Sequence, residues 1–295
     1  MTTDDAARLR NPVGGHVPVA GGLATVGLSY AATMGAEAVQ VFCANPRGWA
    51  TPPGNPAQDE AFRERCAAEG IPAYVHAPYL INFGSHTEAT VEKSVESLRH
   101  SLRRAREIGA LGVVVHTGSA TGGRPRAAAL AQAGRYMLPL LDELTHDDDP
   151  ALLLEPTAGQ GFSLCSLAED LGPYFDVLDR HPRLGVCLDT CHAFAAGHDM
   201  AAPGGMKLLL DELVDTVGEG RLQLIHANDS KDVAGAHKDR HENIGTGHIG
   251  AEPFGDLFTH PATAGVPLII ETPGGPEGHA ADVARLKQLR GRVAR

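Results

Sequence analysis

A closed barrel of eight parallel strands with helices between them, a (β/α)8 or TIM barrel, is the fold class this sequence predicts. Two observations predict it: eight short, nearly continuous apolar runs rich in Val, Ile and Leu, and amphipathic stretches of helical period between them. A third disfavours the nearest rival, a doubly wound open sheet, because HVPVAGGLA after the first run is a poor match to the phosphate loop GxGxxG.

The first two runs, VGGHVP (13–18) and AVQVFC (38–43), have the length and composition of buried strands. The third, PAYVHAP (72–78), ends at His76, and TVEKSVESLRHSLRRAREIG (90–109) after it has the period of an amphipathic helix. GVVVHTG (112–118) ends in His116, ALLLEPT (151–157) in Glu155, and LGVCLDT (184–190) in Asp189 with His192 just beyond. LQLIHAND (222–229) ends in His226 and PLIIETP (267–273) in Glu271. Between these two, SKDVAGAHKDRHENIGTGHIGAEPF (230–254) is rich in Gly and His with little periodicity; it reads as a functional loop at the barrel mouth and adds Asp239 and His241.

With 295 residues, 43% of them hydrophobic, and no low-complexity linker, the chain reads as one domain over 1–295. Its apolar runs reach only about seven residues against the roughly 18 a membrane span needs, so no membrane association is expected. The polar start MTTDDAARLR resembles no secretory signal, and the expected compartment is the cytoplasm. Five cysteines, Cys43, Cys66, Cys165, Cys187 and Cys191, form no CxxC pair and read as reduced core residues. A formal charge of −11 argues against nucleic-acid binding through a basic surface.

In a barrel of this kind chemistry sits at the carboxyl ends of the strands, where this sequence concentrates imidazoles and carboxylates. Each is ordinary alone: a single strand-end His is more often a hydrogen-bonded structural group than a metal ligand, and Glu155 alone could be a paired core acid. Together, five imidazoles and four carboxylates on one rim need compensating positive charge. Divalent metal supplies it; mixed His and carboxylate ligation suits zinc, with manganese or iron as competitors. Nine candidate ligands exceed what one ion can use, so two or three ions are implied.

VHAPYLINFGS (75–85), VVHTGS (114–119), LEPTAGQG (154–161), GVCLDTCHAFAAGHD (185–199), HANDSK (226–231), DRHENIGTGHIG (239–250) and LIIET (268–272) together resemble the endonuclease IV class of abasic-site endonucleases, over nearly the whole chain. The resemblance implies a barrel of the xylose-isomerase-like superfamily carrying three zinc ions, with Mn2+ or Fe2+ an alternative at one position. His76, His116 and Glu155 would hold one ion; Glu155 would bridge to a second, completed by Asp189, His226 and Glu271; His192, Asp239 and His241 would hold the third. It further implies a zinc-dependent hydrolase of base excision repair that cuts DNA 5′ of an abasic site to leave a 3′-hydroxyl and a 5′-deoxyribose phosphate, and that trims blocked 3′ ends. A hydroxide held between two zincs would attack, oriented by Glu155 and Glu271, while the third ion stabilises the leaving oxygen. Arg47 in FCANPRGW and Tyr79 in HAPYLIN match the residues that enter the DNA at the lesion; without the resemblance, they read as a surface arginine and a rim aromatic.

Three positions depart from the family pattern: Pro156 replaces Asn after the bridging ligand, and Thr117 and Ala120 replace Pro and His in the HPGSH-like segment. None is a ligand, so they put orientation rather than metal binding in question. Zinc at the mouth would draw phosphate to an otherwise acidic protein, with weak, shallowly salt-dependent affinity for undamaged duplex. The resemblance also favours a monomer. The competing reading, a xylose-isomerase-like sugar isomerase or epimerase, shares the fold but does not need His76, His116, His192 and His241 together. A non-catalytic binder of abasic DNA is a second competitor, against which the open coordination position of a full ligand set argues.

Overall fold

The computed structural model describes residues 10–293. Eight parallel strands close into a barrel: Val13–His16, Val39–Phe42, Ala73–His76, Gly112–His116, Ala151–Glu155, Leu184–Asp189, Leu222–His226 and Leu268–Ile270. Each falls within one of the eight apolar runs. The first strand pairs with both the second and the eighth, so no edge remains. The helix expected over 90–109 spans Glu88–Glu107. No helix among the described residues is long and apolar enough to cross a membrane.

The pleat sorts every strand into two faces. In the fifth strand, Leu152 and Leu154 join the large cluster between barrel and helices, whereas Leu153 joins a separate inner cluster with Ala38, Tyr74, Val114, Cys187, Leu224 and Ile269. These inner residues fill one layer inside the barrel, all at most 4% exposed. Truncating Leu153 to Ala there should cost about 2–5 kcal/mol, because neighbours held by a closed barrel can relax only partly.

Two residues further along each strand, the same face carries the next layer. From the second strand to the eighth, that step leads from Ala38, Tyr74, Val114, Leu153, Cys187, Leu224 and Ile269 to Gln40, His76, His116, Glu155, Asp189, His226 and Glu271. The first strand contributes His16. A hydrophobic layer thus sits directly beneath a ring of eight polar side chains at the mouth.

The segment 230–254 is better ordered than its composition suggests. Buried Asp229 accepts hydrogen bonds from the backbone N–H of Ser230, Gly245, Gly247 and Ile249 at 2.8–3.0 Å. Asp229–Ser230 pairs antiparallel with His241–Glu242. One carboxylate therefore gathers the loop and carries Asp239 and His241 to the rim.

Candidate metal centre

All nine sequence-predicted metal ligands meet at the mouth, in three groups, of which the first two share Glu155; within each group the potential ligand atoms lie within 4.8 Å of one another. In the first, His76 Nε2 and His116 Nε2 each lie 3.2 Å from Glu155 Oε2. In the second, His226 Nδ1 lies 2.9 Å from Glu155 Oε1, 3.5 Å from Glu271 Oε2 and 3.8 Å from Asp189 Oδ2. In the third, His192 Nε2 and His241 Nε2 both lie 3.2 Å from Asp239 Oδ1, and His241 Nε2 is 3.5 Å from Asp189 Oδ2. Glu155 turns one oxygen to each of the first two groups, and Asp189 stands between the second and third.

The spacing in DTCH has a local cause. Asp189 ends the sixth strand and caps the helix Thr190–Ala196, its Oδ1 accepting the backbone N–H of His192 at 2.9 Å. Capping occupies one oxygen and fixes the turn that brings the His192 ring back over the barrel. The other oxygen, Oδ2, accepts from Asn228 Nδ2 at 2.8 Å and faces the imidazoles.

Backbone carbonyls fix the imidazole tautomers. His76 Nδ1 donates to Ala77 O at 2.7 Å, His192 Nδ1 to Pro156 O at 3.1 Å and His241 Nδ1 to Glu271 O at 3.1 Å, which leaves each Nε2 lone pair for the site. His226 is held in the opposite sense: its Nε2 donates to Gln40 Oε1 at 2.8 Å, so Nδ1 faces the carboxylates. Oriented imidazoles whose far nitrogen is engaged are the arrangement metal sites use.

Electrostatics point the same way. Burial alone would push the Glu155 carboxyl up, but His226 and His116 hold it well below the usual carboxylate range. Glu271 and Asp239 are likewise held far down against burial, Glu271 chiefly by His226 and Asp239 by His192 and His241. Burial disfavours charge on His192 and His241, yet Asp189 and Asp239 raise them to about 10 and about 9. The acids thus require positive charge, which protons on imidazole or divalent cations can provide. His241 Nε2 decides in favour of cations: it is buried and makes no hydrogen bond, although two carboxylate oxygens lie within 3.5 Å. A buried imidazole nitrogen left unpaired beside two carboxylate oxygens suits coordination, and the set of five imidazoles and four carboxylates fits zinc.

The sequence reading missed His16, although it ends the first strand, and Gln40, which lies inside the second. Gln40 Nε2 donates to Glu271 Oε1 at 2.6 Å, and His16 Nδ1 lies 3.3 Å from the same oxygen, so both orient Glu271 from behind. Strand alternation could have found them, since Gln40 follows inward Ala38 by two. Cys187 and Cys191, read as core residues, do lie within ligand distance, in the groups Glu155–Cys187–His226 and Asp189–Cys191–His241. Burial pushes the Cys187 thiol up to about 12 and raises Cys191 as well, which disfavours their thiolates beside the carboxylates of the same groups.

The three departures have physical accounts. His192 uses only the carbonyl of Pro156, which proline retains. Thr117 Oγ1 donates to Cys165 O at 3.0 Å, tying the loop after the fourth strand to that after the fifth. Ala120 is buried, and its N–H donates to Phe162 O at 2.8 Å.

Arg47 and Tyr79 lie on adjoining loops, joined where Tyr79 N donates to Pro46 O at 2.9 Å. Arg47 is exposed. The Tyr79 ring stacks on His116, with centroids 5.4 Å apart, and meets His76 edge-on at 5.2 Å, so it covers the first ligand group. Burial raises its hydroxyl pKa, and the ring stays neutral.

Residues 28–289 match the model of a family described as a xylose isomerase-like TIM barrel. The chain is 80% identical over 281 residues to a protein of Streptomyces avermitilis named probable endonuclease 4, covering 95% of this chain and 91% of that one. Its identity to the protein of the same name from Streptomyces coelicolor is also 80%, covering 95% and 96% of the two chains. The crystal structure of endonuclease IV from Thermus thermophilus superposes with a TM-score of 0.83 at 35% identity, covering 95% of this chain and 99% of that one. A D-tagatose 3-epimerase-like protein, at 19% identity and a TM-score of 0.74, shares the fold alone.

Proposed function

Because the chain belongs to the endonuclease IV family, the AP endonucleases of DNA repair, we propose that its mouth holds three zinc ions and hydrolyses the phosphodiester 5′ to an abasic nucleotide. The products are a 3′-hydroxyl and a 5′-deoxyribose phosphate, and the same site trims blocked 3′ ends. One observation carries the reading: Glu155 presents Oε2 to His76 and His116 and Oε1 to His226, so one buried carboxylate would be available to two separate cations. In the proposed grouping His76, His116 and Glu155 would hold one ion, Glu155, Asp189, His226 and Glu271 a second, and His192, Asp239 and His241 the third. Bound there, zinc supplies Lewis-acid activation of water and charge neutralisation at the scissile phosphate.

The protein's own residues do the rest. Glu271 Oε1 is engaged by Gln40 and His16, which leaves Oε2 facing the site to orient the attacking water. Glu155 Oε1 and Glu271 Oε2 both lie beside His226 Nδ1, so Glu155 shares with Glu271 the orienting of the water. In-line attack of the water oxygen at phosphorus breaks the P–O3′ bond, and the 3′ oxygen leaves as a hydroxyl, the proton it takes up balancing the one the water gives up. Arg47 and Tyr79 occupy the stack vacated by the extruded abasic sugar, whose extrusion is cheap because no base need be unpaired. The enzyme acts as a monomer in the cytoplasm.

The test is incision of an end-labelled duplex carrying one tetrahydrofuran abasic analogue by zinc-loaded protein, followed by polymerase extension of the new end. Cutting 5′ of the lesion with an extendable end is the expected outcome. Failure to cut by protein that holds three zincs would refute the reading.

A further inference from the structure

Among the described residues, the two large exposed side chains that are aromatic are Tyr79 and Phe162, 43% and 75% exposed, and both stand on loops at the mouth. Tyr79 has a role in the reading above; Phe162 has none. It lies at the exposed tip Gln160–Gly161–Phe162 of the loop after the fifth strand, seven residues beyond Glu155, and belongs to neither apolar cluster.

The backbone beneath this ring is held firmly. Phe162 O accepts from Ala120 N at 2.8 Å, Leu164 N donates to Gly118 O at 2.9 Å, and Ser119 and Ser163 form an antiparallel bridge. Thr157 Oγ1 and Ser163 Oγ, 2.7 Å apart, tie the loop to its own base. Positive φ at Gly159 and Gly161, +78° and +61°, lets the chain turn sharply enough to lift the tip outward. An aromatic on such a support is presented to solvent at little further entropic cost on binding.

Charge selects the occupant. In this chain of net charge −11, no Asp or Glu occurs between the ends of the first five strands and the helices that follow, in 17–27, 43–55, 77–87, 117–125 and 156–167. Arg47 and Arg124 lie in these connections. An acidic protein has thus kept carboxylates off the arc of rim that includes Phe162, which admits a polyanion and an aromatic contact together.

Resting on the reading that the mouth takes damaged duplex, we propose that Phe162 is a DNA-stacking residue, its ring lying on a base exposed beside the extruded abasic nucleotide. Base–aromatic stacking tolerates any sequence, as a repair enzyme requires.

The test uses the full-length zinc enzyme. Phe162→Ala and Phe162→Leu should each raise KM for the abasic duplex about tenfold with kcat changed less than about twofold, the size of one lost stack, and Phe162→Tyr should restore it. With Trp49, the single native tryptophan, changed to Phe, the indole introduced by Phe162→Trp should lose emission on titration with the duplex. An unaltered KM in Phe162→Ala, or indole emission unmoved by saturating duplex, would overturn the proposal while leaving incision by the wild type intact. Quenching without incision by the wild type would uphold the stack and refute the nuclease reading.

Discussion

The two ends of the barrel treat acidic residues in opposite ways. At the floor, where the strands begin, a groove of about 1220 Å³ is lined by Asp211, Asp215 and Glu219 together with Tyr74 and His260. Its acids are at the surface: Asp211 pairs with Lys207 and with His260 Nε2 at 3.0 Å, and Asp215 faces water. At the mouth the connections after the first five strands carry no carboxylate, while Glu155 and Asp189 are at most 1% exposed. The floor has the space; the mouth has the unsolvated charge. The difference teaches that chemistry here is marked by acids which water cannot compensate, not by concavity or by the number of acids.

Changing an acid at each end gives the largest contrast. Glu155→Gln keeps the size of the side chain and removes the charge facing two imidazole groups; incision should fall about a thousandfold or more, equivalent to several kcal/mol of transition-state stabilisation. Asp215→Ala at the floor should leave steady-state incision unchanged. Comparable losses in the two variants would erase the distinction.

A buried pair away from both ends separates stability from chemistry. Arg104 donates to Asp59 through both terminal nitrogens, at 2.7 and 2.9 Å, and joins helix Pro56–Glu69 to helix Glu88–Glu107. Asp59→Ala leaves the buried guanidinium with Glu107 as its remaining carboxylate and should lower unfolding free energy by about 2 kcal/mol in chemical denaturation, with zinc content unchanged.

Next in size is Gln40→Leu, which removes the amide that holds Glu271 and fixes the His226 tautomer. Zinc affinity should weaken by about 10–100-fold in chelator competition, with secondary structure intact. No change would reduce Gln40 to packing.

The smallest effect concerns Glu37, near the floor. Burial favours its neutral form, but hydrogen bonds from Arg290 and the Val13 N–H, with Lys287 nearby, hold its carboxyl at about 2. A depressed carboxylate stabilises the fold above its unfolded value near 4.5 and loses that contribution as pH falls from there toward 2. Because the pair is partly solvated, the stability difference between wild type and Glu37→Gln should be only about 1 kcal/mol at pH 6 and should shrink by pH 3. A difference independent of pH would contradict the assignment.

The barrel and six of the nine rim residues were legible because apolar runs mark buried parallel strands and a polar residue ending such a run faces the mouth; His192, Asp239 and His241 lie beyond the ends of the barrel strands and were reached from the DTCH turn and the family motifs. Gln40 escaped because it lies inside its run, where only counting inward positions in twos reveals it; His16 ends the first strand as His76 ends the third, but its run VGGHVP continues apolar beyond it and was read as strand alone. The order of 230–254 was hidden for a different reason. It depends on Asp229 collecting N–H groups as far away as Ile249, a contact with no local periodic signature. The conflict between net charge and a nucleic-acid substrate resolves only once the connections are assigned to ends of the barrel: Glu143, Asp147, Asp148 and Asp149 cluster before the fifth strand, on the floor side.

The most direct test of the central claim is the metal content of purified protein after exhaustive dialysis, by elemental analysis, beside the melting temperature before and after chelation. Three zincs per chain are predicted, with a melting temperature about 10 °C lower once they are removed, as ligand linkage requires for tightly held ions. A chain that retains less than one zinc and melts at the same temperature with or without chelator would contradict the account.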